Sequence, residues 1–289
     1  MIHRLIISFI LVFRSLGFSE DLQVKMLTKS FADVPIVGRV HHLQTTYLAK
    51  NQRNTIQTTS IERGFFSFMA GVFSDVKDTT GTLIDAAGQA WDYNINDKEY
   101  WIPSEDTETD ENSDEEDSKR YEYTISSDSD GQSKDENKII SVSRIGHNEM
   151  EDIHGFRTKK WTTTLQLSEF KVIIDEWAVD ELSLLRIADS LNSEILRSRG
   201  TPDSLIAMMR YGSGLSNNEM ILGLTKMDSV YNEYDVVPIP GEIIKGDVRM
   251  FKDNSDDPHV NFGTEVVELY AENYDEKRFT IPDDYELVD

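Results

Sequence analysis

The chain has 289 residues, with 53 acidic and 29 basic side chains and a formal net charge of −24 at pH 7. Nucleic acid and anionic membrane surfaces are poor partners for such a chain, because their negative charge repels it. The absence of cysteine excludes disulfides, thiol catalysis, cysteine-ligated zinc and acylation at an N-terminal cysteine.

Residues 1–19 have the pattern of a secretory signal peptide. Arg4 precedes an apolar run at 5–13 that is too short to span a bilayer. Gly17 and Ser19 place small residues at the −3 and −1 sites, which predicts cleavage before Glu20. An uncleaved membrane anchor is the alternative. The sequence thus predicts a periplasmic or secreted protein that is not an integral membrane protein after signal cleavage.

The first half of the remaining chain predicts a short helix followed by a meander of strands. Residues 20–34 place three apolar side chains on one helical side. Alternating, β-branched or aromatic segments joined by short turns then predict antiparallel strands at 36–50, 53–60, 81–86, 89–95 and 98–102. Between them, the strongly apolar residues 61–73 predict a helix that either covers the core or forms a lid over a cavity.

An acidic insertion interrupts this meander at residues 104–137. It holds fourteen acidic and three basic residues and therefore carries −11 of the net charge. Such a segment buries too little apolar surface to offset the entropy of ordering, so we expect a disordered insertion within one domain, 20–289. Its Ser126-x-Asp128-x-Asp130-Gly131 pattern is similar to a calcium loop, but Asn137 stands where a bidentate glutamate is needed. A solvated linker or diffuse cation binding is expected instead.

The second half predicts three hairpin strands and then helices. A strand is expected at 138–145. The hairpin strands follow: one from 147 to the turn at His154-Gly155, one at 156–167, and one at 170–179 after the turn at Ser168-Glu169. An amphipathic helix is expected at 182–199 and another at 202–211, where Pro202 suits the first turn. Irregular strands within 220–252, a strand at 263–271 and a closing segment at 279–285 complete the chain.

The polar residues give no catalytic or metal site and no cofactor. His147 and Glu151 share a strand face but lack a third ligand. Asp175 and Glu176 are adjacent on a strand and therefore point to opposite faces, so they cannot act as a carboxylate pair. Residues 212–214 (Gly-Ser-Gly) lack the strand-to-helix context of a nucleophile elbow.

The order of these segments resembles a known superfamily. A long first hairpin, the GTLIDAAGQAWDYNINDKEYW pair, the GFRTKKW and IDEWAVD hairpins, a helical segment and a terminal F-x-I-P-x-x-Y are similar to exported domains of the outer-membrane lipoprotein carrier (LolA/LolB-like) superfamily. The resemblance covers residues 36–289 apart from the acidic insertion. It implies an α+β fold: a strongly curved antiparallel sheet, an unclosed barrel, with helices packed on its concave face. In the carriers, acyl chains occupy the space between sheet and helices.

Apolar residues on two predicted helices are the candidate ligand-binding residues. Flexible apolar side chains suit the binding of acyl chains, although the same residues could simply pack as an ordinary core. These candidates are Phe65, Phe66, Phe68, Met69, Phe73, Leu205, Met208 and Met209, with Ile206 beside them.

Two functions follow from the sequence. The first is a non-enzymatic exported protein that binds or carries a lipid, a lipoprotein acyl chain or another apolar ligand. The second is a structural or interaction module of the cell envelope, with the acidic insertion as the surface that contacts a protein partner.

Overall fold

The computed structural model describes residues 21–34, 38–62, 79–103, 138–216, 227–252 and 255–288. The predicted signal peptide, the predicted helix at 61–73 beyond Glu62, and the acidic insertion lie outside the described residues. The strands are β1 (Leu22–Val34), β2 (Gly38–Ala49), β3 (Gln52–Ile61), β4 (Thr79–Ile84), β5 (Ala90–Asn94), β6 (Glu99–Trp101), β7 (Ile139–Ile153), β8 (Phe156–Leu167), β9 (Phe170–Val179), β10 (Glu242–Lys252), β11 (Val260–Asn273) and β12 (Glu286–Leu287). The helices are α1 (Ser183–Ser198), α2 (Asp203–Met208) and α3 (Met227–Glu233), with a short 3-10 helix at Glu276–Phe279.

All the described strands form one sheet in the order β12-β6-β5-β4-β3-β2-β1-β11-β10-β9-β8-β7. Neighbouring strands are antiparallel except β12 and β6, which are parallel. Within the described residues the two edge strands do not pair with each other, so the sheet is not closed. The prediction of a large antiparallel, unclosed sheet accompanied by helices is confirmed at this level.

The prediction of a helix at 20–34 is wrong, because this segment is strand β1. It lies between β2 and β11 and pairs with both over nearly its whole length. Val24 and Met26 are fully buried on one face, while Gln23 on the other face bonds to the side chain of Glu272 at 2.6 Å. Long-range pairing on both sides therefore overrides the helical spacing of its apolar residues.

The helices α1 and α3 pack on the same face of the sheet, named here the helix face. Leu185, Ala188 and Ile195 of α1 are buried against β1, β2, β10 and β11. Met227 and Tyr231 of α3 are buried against β7, β8 and β9 at the other end. Part of the region predicted as irregular strands is thus the helix α3, which that prediction missed.

The opposite face is covered in two ways. At the β3–β6 end, the C-terminal segment lies over Tyr47, Leu83 and Tyr93 and buries Phe279 to 1% exposure. Toward β8 and β9, charged side chains form ion pairs on this face. Lys160 lies 3.2 Å from Asp175, and further cations and anions alternate across β10, β11 and β1. Both sheet faces are therefore largely shielded from water.

We predict that Gly81→Ala destabilises the fold, because a Cβ at this position would overlap the ring of Tyr93 on the neighbouring strand. Tyr93 cannot move freely, since its hydroxyl donates to Asn54 at 2.7 Å. Overpacking of this kind costs about 1–3 kcal/mol. Urea unfolding should show this loss, and the loss should be smaller in a Tyr93→Ala background. Equal costs in both backgrounds would contradict the proposed register of β4 and β5.

Candidate functional site

The sheet splits between β10 and β11. The two strands pair from Met250↔Val260 to Lys245↔Glu265, and their pairing stops there. Beyond this point β10 continues only with β9, while β11 continues only with β1. Register irregularities at Ile243/Lys245 and at Leu27/Thr28 accompany the split. A wedge-shaped gap therefore opens in the middle of the sheet, on the side where α1 packs.

A loop at residues 209–216, which follows α2, borders this gap and is named here the cleft loop. Its Gly212 carbonyl accepts a hydrogen bond of 3.2 Å from the Ile243 amide of β10. The cleft loop thus takes a hydrogen bond that a neighbouring strand would otherwise make.

Two buried carboxylates anchor the cleft loop at its ends. Asp189 of α1 accepts from the Tyr211 amide at 2.8 Å, and Glu176 of β9 accepts from the Ser216 amide at 3.0 Å. Because these bonds join a charged acceptor to backbone donors, they are stronger than neutral ones. The loop's position is therefore set from both the helix and the sheet.

Two glycines permit this close approach. A Cβ on Gly212 would lie 2.8 Å from a carboxylate oxygen of Glu242, and a Cβ on Gly214 would overlap the side chain of Ile243. Gly214 also has a φ of +78°, which L-residues rarely adopt. The two glycines of the Gly-Ser-Gly sequence thus allow the loop to pack closely onto β10.

A cavity of about 270 Å³ lies between the cleft loop and the strands at the split. Its apolar wall comes from the loop, β10 and β11, whereas hydroxyl and amide groups of β1, β2 and β11 form a polar wall. The lining residues are Thr28, Ser30, Gln44, Met209, Arg210, Tyr211, Ser213, Gly214, Leu215, Ile243, Ile244, Lys245, Gly246, Thr264, Glu265 and Val266. The cavity is therefore amphipathic, and Arg210 is its cation. The ammonium group of Lys245 lies instead over the Trp177 ring on the opposite face of the sheet, near Asp247 and Glu265.

Glu176 is part of a buried polar network below the cleft loop. The side chain is fully buried, and burial raises its pKa above the usual range of a glutamate. Its Oε2 atom has no hydrogen-bond partner in the described part of the chain. Arg144 lies nearby, donating to the Ser216 hydroxyl at 3.2 Å and stacking over the Tyr231 ring at 4.6 Å. Burial of the Glu176 carboxyl group therefore costs free energy in the folded protein.

Asp189 has a related environment at the other anchor. Burial raises its pKa, although the Tyr211 amide and Arg210 oppose the shift. Arg210 lies 3.6 Å from its second oxygen and is half exposed. Both anchors of the cleft loop thus depend on carboxyl groups that are removed from water.

The structure brings only part of the predicted site together. Met209 lines the cavity and is 51% exposed, so it lies at the rim. Leu205 is 42% exposed and outside the cavity lining, while Ile206 is buried. Phe65, Phe66, Phe68, Met69 and Phe73, and the side chain of Met208, lie outside the described residues.

Most lining residues were missed by sequence reasoning. Thr28, Ser30, Gln44 and Thr264 come from three strands whose adjacency depends on long-range register. Their residue types carry no signal of a site, since hydroxyl side chains are common on strands. The glycines of the cleft loop were the one available signal, because two of them so close together suggest a close backbone approach.

The residues weighed as metal ligands or catalysts have other partners. His147 contacts the Thr162 hydroxyl at 2.9 Å, Glu151 accepts from the Trp177 indole at 2.9 Å, and His154 lies 3.3 Å from Glu265. In the ranges that the structure covers, no group of three or more potential ligands could hold a metal ion. Asp175 and Glu176 do point to opposite faces, as predicted. No helix among the described residues is both long and apolar enough to span a bilayer.

Comparison with known proteins yields no relative: no family model, no curated protein and no solved structure matches this chain. The assignment of function therefore depends on the geometry of the cleft.

We predict that Glu176→Gln changes how stability depends on pH. Folding raises the pKa of Glu176, so the folded protein binds this proton more tightly than the unfolded chain does. The free energy of unfolding therefore falls as the pH rises, and the loss is complete above the pKa of the folded state. This cost disappears as the pH falls toward the ordinary glutamate range. The variant, which carries no charge there, should therefore gain stability relative to wild type as the pH rises.

Urea unfolding at several pH values measures this difference. Because the glutamine amide also loses solvation, the informative quantity is the change of the stability difference with pH, not its sign at one pH. A stability difference that stays constant from acidic to alkaline pH would contradict the desolvation of Glu176.

Proposed function

We propose that this protein is an exported, non-catalytic binding protein that takes the apolar chain of a lipid-like ligand into the cleft between sheet and helices. The observation that carries the proposal is the cavity at the split between β10 and β11. A gap in the middle of a sheet leaves backbone groups and side chains without a neighbouring strand, and such a feature persists most readily where it serves binding.

The lining supports an amphipathic ligand. Leu215, Ile243 and Val266 offer apolar contacts for a hydrocarbon chain, and Met209 at the rim is an adaptable side chain. Arg210, which is half exposed, lines the same cavity and suits a carboxylate or phosphate head group. The polar wall formed by Thr28, Ser30 and Gln44 faces this apolar side, so the cavity could hold a chain and a polar group together.

The size of the cavity limits the ligand. Its volume of about 270 Å³ lies just below the ~300–1,000 Å³ typical of ligand pockets. We therefore propose that one short chain, or the end of a longer one, enters the cleft. A lipoprotein with several acyl chains would need the cleft to widen.

The proposal includes the finer features of the carrier-like fold. These are a strongly curved sheet with the helices on its concave face, and export to the periplasm or beyond. The common helix face of α1 and α3 and the signal-like residues 1–19 support them. The proposal also assigns the lipid or acyl chain as the main partner.

We predict that filling the cavity abolishes binding. Ser30 lines the cleft on β1, so Ser30→Trp should occupy the space that an acyl chain needs. Delipidated wild-type protein should bind decanoic acid, measured by isothermal titration calorimetry and native mass spectrometry. The variant should bind at least about tenfold more weakly, since steric exclusion removes most of the buried apolar contact.

Ser190→Trp is the matched control. It makes the same substitution at an exposed position of α1 that does not line the cavity. Its decanoic acid binding should equal that of wild type. Failure of delipidated wild type to take up decanoic acid, or equal losses in both variants, would refute the proposed site.

A further inference from the structure

We propose that the edge of β7 is a docking site for an extended segment of another protein, which adds to the sheet as an antiparallel strand. The segment's first half would be basic and its second half apolar and β-branched. This inference concerns a different surface from the ligand cleft and is independent of it.

The two edges of the sheet differ greatly in length. One edge is β12, which has two residues. The other is β7, which has fifteen residues and pairs only with β8 among the described strands. A long edge strand presents a row of backbone donors and acceptors to any chain that can lie beside it. Proteins usually protect such edges with short strands, proline or outward charges.

The central part of β7 has no proline and no outward charge, and the irregularities of β7 lie only at the two ends of this part. Residues 141–146 pair in regular register with β8, from Ser141↔Gln166 to Gly146↔Trp161, between two irregularities. This segment contains no proline, and its only charged residue is Arg144. The Arg144 guanidinium is turned inward, where it donates to Thr163 at 2.8 Å and to the Val237 carbonyl at 3.0 Å. The edge between the irregularities is therefore regular and presents no outward charge.

Exposed apolar side chains gather along the same edge. Ile145 is 62% exposed and Ile140 is 58% exposed, both on β7. Val237, which is 67% exposed, lies near β7, since its carbonyl accepts from the inward-turned Arg144. An added strand would cover Ile140 and Ile145 while its backbone pairs with β7, which is the usual mode of β-strand addition.

The charges along β7 determine which residues an added strand would carry. Beyond the second irregularity, β7 continues with the exposed acids Glu149, Glu151 and Asp152. A strand running antiparallel to β7 meets these acids with its first half and the apolar segment with its second. Lys159 and Lys160 lie one strand farther in and stack on Trp161 and Trp177, so they do not neutralise the edge.

A second copy of this chain is a poor occupant. Each copy carries a net charge of −24, so their association is opposed by repulsion, whereas a basic segment is attracted. In a two-fold pairing of β7 with itself, the acidic half of one copy would also meet an apolar half. The partner is therefore an extended basic-then-apolar segment of a different protein.

The test uses the full mature chain and a fluorescent peptide of about twelve residues, long enough to cover both the regular edge at 141–146 and the acids at 149–152. Its first half alternates lysine with threonine and its second half alternates valine with threonine. Fluorescence anisotropy at near-physiological salt should show saturable binding. A peptide of the same composition with its two halves exchanged should bind at least about tenfold more weakly, because its charges meet the wrong half of β7.

Two protein variants locate the site. Ile145→Lys places a cation on the edge and should weaken peptide binding at least about tenfold. Ile102→Lys makes the same change at a residue of similar exposure, 56%, next to the opposite edge, and should have no effect. Circular dichroism checks that both variants fold. Hydrogen exchange of residues 141–146 should slow when the wild type binds peptide.

Four outcomes would overturn the proposal. They are no binding by wild type, equal effects of the two variants, binding that appears only when residues 104–137 are deleted, and a dimer that Ile145→Lys converts to a monomer. The third would make the chain's own insertion the occupant, and the fourth would make it a second copy.

Discussion

The pairing of β1 with β11 holds the two halves of the sheet together. On one side of this pair lie the strands from β2 to β6, which follow β1 in the chain, and on the other side lie β10, β9, β8 and β7. The contact joins residues 249 positions apart, as between Gln23 and Glu272. The helix α1 spans the same junction by packing on β1, β2 and β11, so the core beneath it exists only when the two halves are joined.

The cleft forms because β11 pairs with β1 along nearly its whole length but with β10 along only part of it. Beyond Val266, β11 keeps its pairing with β1 and leaves β10, so the gap opens where the two halves of the sheet diverge. The cleft loop partly replaces the missing strand, and Asp189 and Glu176 hold it there. Burying two carboxylates costs free energy, and the backbone amides of the loop offset only part of that cost. The anchoring of the cleft loop therefore carries a free-energy cost that the rest of the fold must offset.

Local signals made much of the fold predictable. Strands β8 and β9 have the predicted bounds, and the turn between β7 and β8 falls at His154 and Gly155, both with positive φ. Alternation, turn residues and the apolar stripe of α1 all act over a few residues, so the sequence displays them directly. The predictions that failed depend on pairing between strands. Residues 22–34 form a strand because they pair with β2 and β11 on either side. The polar wall of the cleft depends on the register of β1, β2 and β11.

The route by which the chain folds also depends on β1. Because β1 and β11 lie far apart in the chain, the central pair of the sheet cannot form until the residues between them have been synthesised. Contacts at such separations slow folding, since the loop between them must be closed first. In the meantime the edge of β1 that later pairs with β11 is unpaired, and Val24 and Met26 are not yet covered, a combination that favours aggregation. The high negative charge of the chain opposes self-association during this interval. Repulsion between chains therefore limits aggregation before folding is complete.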